Sequence, residues 1–480
     1  MKPLLIVDRR NDWTGLPGTV DAAAYLAARD PAPAQVINLC RCDRYQDAAY
    51  YVSLLAEARD HRPLPDVSTL AALQSGNVLT PALRAELEPL VAAPALTGAT
   101  LDVEVWFGRD PAGREHAFAA QLFERVRAPL LRATLHGVAG GWRLHTVHMT
   151  DATEFDDARR ARLATTYAAW SGTSPPCTAA ASARARPAVA ILHDPDGSEA
   201  PSNPAALSRF VAAAHRLGLD ADVVDRHAGD RLQDYDALFI RDTTHVGHYT
   251  YALAREAAAL GLVVIDDPDS ILKCTNKVYL HELMSRHGVP VPRTLIVDAH
   301  NVDAIAPTLG LPCILKQPDS AFSLGVRKVE TTDELVARAH ELLQHSAYIV
   351  AQEFLPTTFD WRIGVLDGRP LFVCQYFMAP GHWQVIKRDT GNRVEGRTLA
   401  MAVSEAPRAV IDTAVRAASL IGDGLYGVDV KQVGDACYLI EVNDNPNVDH
   451  GNEDSVLGDA LYREVMGVFA RRIREQQPER

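Results

Sequence analysis

Apolar residues along this chain recur in two rhythms, every second position in short runs and every third or fourth in longer ones, and the rhythms alternate from end to end. Leu4 to Val7 is a short apolar strand, and Gln35 to Leu39 is a second one after an Ala-rich helical segment, a βαβ-like start. In DRYQDAAYYVSLLAEARDHRPLP the positions Tyr51, Leu54, Leu55 and Ala58 mark an amphipathic helix, ended by Pro63 and Pro65. LDVEVWFGR then alternates as a strand, AFAAQLFERVRAPLLRATL reads as a helix and WRLHTVHM alternates again. A helix from Asp157 to Trp170 closes this second β-α-β unit. Between 171 and 187 no apolar period survives and Ser, Pro and Ala prevail, so a linker is expected there.

AVAILHDP opens the next region, followed by a helix from Ala205 to Leu217 with Gly218 just past its end. DADVVD, DALFIRD and LVVIDDP extend the alternation, which predicts a small α/β domain of parallel-sheet type over 188–267. From 268 onward the pattern changes. One helix is expected in SILKCTNKVYLHELMSRHG with Lys277 near its start, then a strand TLIV, a strand-loop-strand in LPCILKQPDSAFSLGVRKVE, a helix from Thr332 to Gln344 and a strand AYIVAQEFL. Asp367-Gly368 marks the turn of a hairpin, GHWQVIKRDTGNRVEGR reads as a loop, and a helix from Pro407 to Leu420 leads into a last hairpin. Its strands are Gly427 to Val433 and Cys437 to Asn443, joined by a three-residue turn that pairs Val433 with Cys437.

Composition narrows the class. A chain of 480 residues exceeds one ordinary core and predicts about three domains. The expected layout is an N-terminal α/β domain (1–170), the linker (171–187), the parallel-sheet domain (188–267) and a C-terminal α+β domain (268–480). With 47% hydrophobic and 23% charged residues the chain is globular, and a net charge of −13 argues against nucleic acid or an acidic membrane surface as partner. Seven scattered cysteines without a CxxC pair read as reduced residues of a cytoplasmic protein. The first residues read as a strand and not a signal peptide, and no apolar run is long enough to span a bilayer.

Candidate chemistry sits in the C-terminal half. Glu441 and Asn443, two apart on a strand, share a face, and the hairpin register puts Asp429 opposite Glu441 on that face. Two carboxylates and an amide oxygen are hard donors of the kind Mg²⁺ takes when phosphates and water complete its shell. Their bland alternative is a polar strand end facing water. Lys316 ends a strand before a loop of small and hydroxyl residues that includes Ser323 and closes at Gly325; backbone N–H groups in such a loop cradle phosphate oxygens, unless it is only a long hairpin loop. Gly422, Gly424 and Gly427 fit GxGxxG, but they follow a helix and precede a strand, the reverse of a dinucleotide site. His145 and His148, three apart on a strand, face opposite sides and make no metal site, and Cys40 and Cys42 fit packing better than redox chemistry.

Together the pieces are more specific than any one of them. Asn276-Lys277, Lys316 with its loop, Gln352-Glu353-Phe354-Leu355, Asp360-Trp361-Arg362, Gly427-Val428-Asp429 and Glu441-Val442-Asn443 form a series that resembles the ATP-grasp superfamily over roughly residues 188–470. Within it the likeness is to RimK-type carboxylate–amine ligases and their glutathione-synthetase-like relatives. RYQDAAYYVSLLAEARDHRPLPDV makes the first 170 residues similar to the RimK-like ATP-grasp N-terminal region, a likeness that leaves their role open. The resemblance implies ATP and Mg²⁺, or Mn²⁺ in its place, as cofactors. Lys277 and Lys316 then hold phosphates, with Ser323 and Lys387 as further nucleotide contacts, Glu353 and Phe354 hold the adenine edge, Asp360 lies near the ribose, and Asp429, Glu441 and Asn443 bind metal. It also implies a homo-oligomer, dimer or tetramer.

The implied reaction activates a carboxylate as an acyl phosphate, which an amine then attacks, and a cation must stabilise the tetrahedral oxyanion. Arg362, Arg388, Arg393 and Arg397 are the arginines in reach by sequence. Where ribosomal-protein-modifying relatives carry an arginine soon after the central hairpin, this chain departs near Gln375, and GNRVEGRT replaces the usual Gly-rich run, so the oxyanion arginine and the acceptor stay open. The expected activity is ATP-dependent amide formation on an amino acid or small peptide. Its alternatives are an ATP-grasp kinase and a nucleotide-binding regulator.

Overall fold

In the computed structural model, residues 3–8, 18–28, 34–42, 44–92, 98–170, 186–195, 197, 200–319, 325–389 and 392–476 are described. The chain divides into two compact units, Met1–Thr178 and Ala179–Arg480. Most of the expected linker, residues 171–185, lies outside the described residues.

The N-terminal unit holds two sheets. β1 (Leu4–Val7), β2 (Thr19–Asp21), β3 (Gln35–Asn38) and β4 (Arg62–Leu64) are parallel in the order β2-β1-β3-β4. The helix Ala48–Ala58 starts where the Asp47 side chain accepts the Tyr50 N–H, and it stops well before the prolines. Asp60 turns the chain at φ 57, and Pro63 lies in β4, an edge strand that tolerates its missing N–H. β5 (Thr100–Trp106), β6 (Leu130–Val138) and β7 (Gly141–Met149) form an antiparallel sheet, which corrects the expected β-α-β unit. Only His116–Arg125 is helical in that stretch. After Pro129, Leu131, Ala133 and Leu135 alternate into the core while Arg132, Thr134 and His136 stay outside it, a period of two that the surrounding helical spacing had masked. The register shift at this point skips His145, and both His145 and His148 are exposed.

The second unit opens with β8 (Ala188–Leu192), β9 (Asp220–Val224), β10 (Ala237–Ile240) and β11 (Val263–Ile265), all parallel in the order β11-β10-β8-β9. The helix Pro204–Arg216 crosses between β8 and β9, and the chain leaves it through Gly218 at φ 79. Two helices, Pro268–Thr275 and Lys277–Arg286, stand where one was expected. Asn276 between them takes an extended conformation and its side chain accepts the N–H groups of Val278 and Tyr279, so it caps the second helix and makes Lys277 its first residue. β12 (Thr294–Val297), β13 (Cys313–Lys316), β14 (Val326–Val329) and β15 (Ile349–Glu353) then form an antiparallel sheet in the order β12-β15-β13-β14.

A five-stranded antiparallel sheet completes the unit. β16 (Phe359–Leu366) and β17 (Arg369–Phe377) meet at Asp367 and Gly368, whose φ values of 51 and 71 suit a two-residue hairpin turn. The segment expected as a loop contains a small hairpin, β18 (Ile386–Asp389) with β19 (Asn392–Glu395), and leads into β20 (Thr398–Met401). β21 (Leu425–Val433) and β22 (Ala436–Asn443) finish the sheet in the order β20-β17-β16-β21-β22. The C-terminal helix Asp459–Gln476 packs Tyr462 against Phe210 and Phe469 against Phe239, which ties the chain end to the parallel sheet.

The last hairpin corrects one expectation and keeps its consequence. Its turn has two residues, Gly434 and Asp435, so Val433 pairs with Ala436 and Gln432 with Cys437. A bulge between Asp429 and Val430, with Ile440 as the extra residue on β22, then shifts the register by one. Asp429 therefore still faces Glu441, because the shorter turn and the bulge cancel.

Gly364 on β16 sits where an added Cβ would come within 2.2 Å of the Phe372 ring. Gly364→Ala is expected to cost roughly 1–3 kcal/mol by overpacking. A denaturant titration checks this, and an unchanged midpoint contradicts it.

Candidate functional site

A row of charges crosses the five-stranded sheet. Arg362 on β16 lies directly opposite Asp429 on β21, and Asp429 opposite Glu441 on β22. Arg362 grips Asp429 with two parallel bonds, Nε to Oδ1 at 2.6 Å and Nη2 to Oδ2 at 2.9 Å. Glu441 accepts the Lys277 amine at 2.8 Å. Asn443, also on β22, donates its amide N–H to Gly427 O and to Asp429 Oδ2, both at 3.2 Å, which leaves its carbonyl oxygen outside these bonds.

These side chains line a cavity of about 1000 Å³, walled by both antiparallel sheets and by loops after β8 and β10. Lys316 enters from the four-stranded sheet, its amine 2.8 Å from Gln352 Oε1. Burial pushes this lysine down to about 8, with Glu441 pulling the other way. Lys277 is anchored from behind by its own N–H to Pro318 O at 2.8 Å, so the helix start and the loop after β13 move together. Burial pushes the Asp429 carboxyl up even beside Arg362. At Glu441 burial also raises, but Lys277, Lys316 and Arg362 together outweigh it and hold the carboxyl below its usual range.

The sequence-derived residues divide into three groups. Lys277, Lys316, Glu353, Phe354, Asp360, Arg362, Asp429, Glu441 and Asn443 all line the cavity. Within that group the Glu353 carboxylate accepts from Arg293, through its backbone N–H at 2.8 Å and its Nε at 2.7 Å. Phe354 stands edge-on to Trp383 at 6.0 Å, with the Lys328 amine over its other neighbourhood at 4.8 Å from the ring centre. Asp360 accepts from Thr357 and Lys431, at 2.9 and 2.5 Å. The second group stays off the cavity lining: Lys387, paired with Val394 on the small hairpin, and Arg397, stacked over Phe377 at 4.0 Å. Third, Ser323 and the side chains of Arg388 and Arg393 lie outside the described residues. Gly422 to Gly427 runs from the helix Arg408–Ile421 into β21, the order that excludes a dinucleotide turn.

Several cavity residues were missed. Lys431 shares the Asp429 face two positions on, a signal the alternation carried. Tyr376, whose hydroxyl donates to Glu453 Oε1 at 2.6 Å and whose ring lies 4.9 Å from the Arg362 guanidinium, gave no signal in sequence. Neither did Glu453, which also accepts the Asp449 N–H at 2.8 Å.

The donor set fits a hard divalent cation. Among the described residues no three His, Cys, Asp or Glu side chains are grouped to hold a metal by themselves. Two carboxylates and an amide oxygen on one face are instead the partial set that Mg²⁺ shares with phosphate oxygens and water.

Residues 22–166 match the family described as RimK-like ATPgrasp N-terminal domain, and residues 274–458 match the RimK-like ATP-grasp domain. A protein named probable alpha-L-glutamate ligase from Vibrio vulnificus (strain YJ016) is 26% identical over 262 residues, 50% of this chain and 84% of its own. A protein of the same name from Marinomonas sp. (strain MWYL1) is 27% identical over the same shares. Among solved structures, a D-alanine–D-alanine ligase from Bacillus anthracis aligns with TM-score 0.49 and 14% identity, covering 61% of this chain and 100% of that one.

Removing Arg362 strands Asp429 inside the sheet. Arg362→Met is expected to cost about 3–5 kcal/mol, the usual loss for breaking a buried pair. Adding Asp429→Asn should recover more than about 1 kcal/mol of that in a double-mutant cycle. Additive losses in denaturation experiments contradict the pairing.

Proposed function

The chain belongs to the RimK-like ATP-grasp proteins, and from that premise we propose that its C-terminal unit is an ATP- and Mg²⁺-dependent ligase that joins a carboxylate to an amine through an acyl phosphate. The observation that supports this reading best is the meeting, in one cavity, of three lysines (277, 316 and 431) with the acidic pair Asp429 and Glu441. Phosphoryl transfer needs this combination, cations for the phosphates and carboxylates for the metal that bridges them.

Each part has a task. Lys316 and Lys277 neutralise phosphate oxygens, and Lys316 keeps most of its charge at neutral pH even when burial lowers it to about 8. Asp429, Glu441 and Asn443 would hold Mg²⁺ or Mn²⁺, which would supply charge neutralisation on the γ-phosphoryl group. Lys277 and Arg362, paired here with Glu441 and Asp429, would be available to the developing negative charge once those carboxylates held the ion. The backbone of Glu353 to Leu355 meets the adenine edge, and Asp360 with Lys431 meets the ribose and phosphates. An oxygen of the substrate carboxylate attacks the γ-phosphorus, the bond to ADP breaks, and the acyl phosphate forms. The neutral amine then attacks the acyl carbon, inorganic phosphate leaves, and the ammonium proton passes to solvent. Arg362 is the arginine we assign to the tetrahedral oxyanion, since it lines the cavity beside Asp429. Amino acids or small peptides are the proposed substrates. Glutamate is the first to test, because the relatives are named for it.

Incubation with ATP, Mg²⁺ and a panel of amino acids, followed by mass spectrometry, is expected to give ADP together with a new amide. ADP with a stable phosphorylated product and no amide contradicts ligation. Glu441→Gln should lower turnover by about 10²-fold or more while the fold persists; wild-type activity in that variant rules out the metal assignment. Lys316→Ala should weaken ATP binding by roughly tenfold or more, and unchanged affinity in a calorimetric titration counts against the phosphate role.

A further inference from the structure

Arg241 follows β10 and is completely buried. Among the described residues its guanidinium makes no ion pair, and all four of its hydrogen bonds go to neutral oxygens. Nε donates to Ser202 Oγ at 3.0 Å, Nη1 to Asn445 Oδ1 at 2.7 Å, and Nη2 to Pro201 O and Pro446 O at 2.6 and 2.7 Å. Burying a charge this way is costly, and burial draws the group down to about 10. Its bonds reach across more than two hundred residues of sequence to the turn that follows Asn443.

That turn is tied down on the same side by other bonds. Ser202 Oγ donates to Val448 O at 2.9 Å, Val448 N–H to Pro201 O at 2.8 Å, and Asn445 Nδ2 to Asp242 O. On its other side Pro446 rests on Gly427, where an added Cβ would come within 2.7 Å of the proline Cβ. Gly427 is the residue paired with Asn443, whose amide bonds both Gly427 O and Asp429 Oδ2. A contiguous path thus runs from the guanidinium through Pro446 and Gly427 to the acidic face of the hairpin.

We propose that Arg241 is a positioning residue: by holding the turn after β22 it fixes Asn443 and Asp429 in the arrangement that receives the divalent cation with the nucleotide. The inference rests on the ligase reading above. Arg241 does not line the cavity, so it acts through the turn and not by touching substrate. A lysine at this position would keep the charge but lose the planar fork that reaches four oxygens on two segments at once.

The test measures ADP binding by calorimetry, with Mg²⁺ and again in EDTA, for the wild type, Arg241→Lys and Asn445→Ala. Loss of a group that orients metal ligands typically costs 10- to 100-fold in metal affinity or activity. The expected result is therefore Mg²⁺-free ADP affinity close to wild type, with the tightening that Mg²⁺ gives reduced by roughly tenfold in Arg241→Lys and less in Asn445→Ala. In turnover assays the same variants should need more Mg²⁺ for half-maximal rate. Wild-type tightening by Mg²⁺ in folded variants overturns the proposal, and so does an equal loss of ADP affinity with and without the ion, the mark of a structural role alone. If Arg241→Lys does not fold, Asn445→Ala decides by the same criterion. A wild-type protein that binds no ADP under either condition overturns the ligase reading itself, a failure separate from that of Arg241.

Discussion

A row of paired charges across one sheet governs the second unit. Arg362, Asp429, Glu441 and Lys277 stand in sequence from β16 to the helix beyond β22, each within hydrogen-bonding reach of its partner. None of these charges could be buried alone without a cost of several kcal/mol. Paired, they are held ready along the cavity wall, where a polyanion with its cation can exchange partners with them. The two carboxylates respond differently to this setting, one pushed up by burial and the other held down by Lys277, Lys316 and Arg362 together. The site thus contains acceptors of unequal basicity side by side.

The scaffold around the row is built from close approaches. Gly364 lets the Phe372 ring lie against β16, and Gly427 lets Pro446 lie against β21. Asn276 breaks what would be a continuous helix so that Lys277 begins a new one, aimed at Glu441. Each device uses the absence or the particular chemistry of a single side chain to bring a charged group to its place. The parallel sheet β8 to β11 takes part through the loop after β10, which reaches the turn beyond β22 by way of Arg241.

Much of this was legible in sequence, for identifiable reasons. The continuous apolar run Ala188–Leu192, the alternation in Phe359–Leu366 and the Asp367-Gly368 turn follow from local rules, and so does the sharing of one face by Glu441 and Asn443. The Asp429 to Glu441 pairing was reached through a turn one residue too long, and only the bulge at Ile440 made the count come right. Leu130 to Leu135 was read as helix because its alternation begins soon after a helix with the same apolar residues. The small hairpin Ile386–Glu395 escaped because its strands are short and mostly polar in sequence, with no apolar period to mark them. Arg241 and Tyr376 could not be found at all from local pattern, since their roles are defined by partners far away in sequence.

The central claim is that the charged cavity passes an oxygen from a carboxylic acid to phosphate on the way to an amide. Turnover of the identified acid labelled with ¹⁸O in its carboxyl group tests it most directly, with the inorganic phosphate analysed by mass spectrometry. One labelled oxygen in the phosphate, in step with ADP and amide, is the predicted result. Unlabelled phosphate beside a fully labelled acid, or release of AMP and pyrophosphate in place of ADP, would contradict the account.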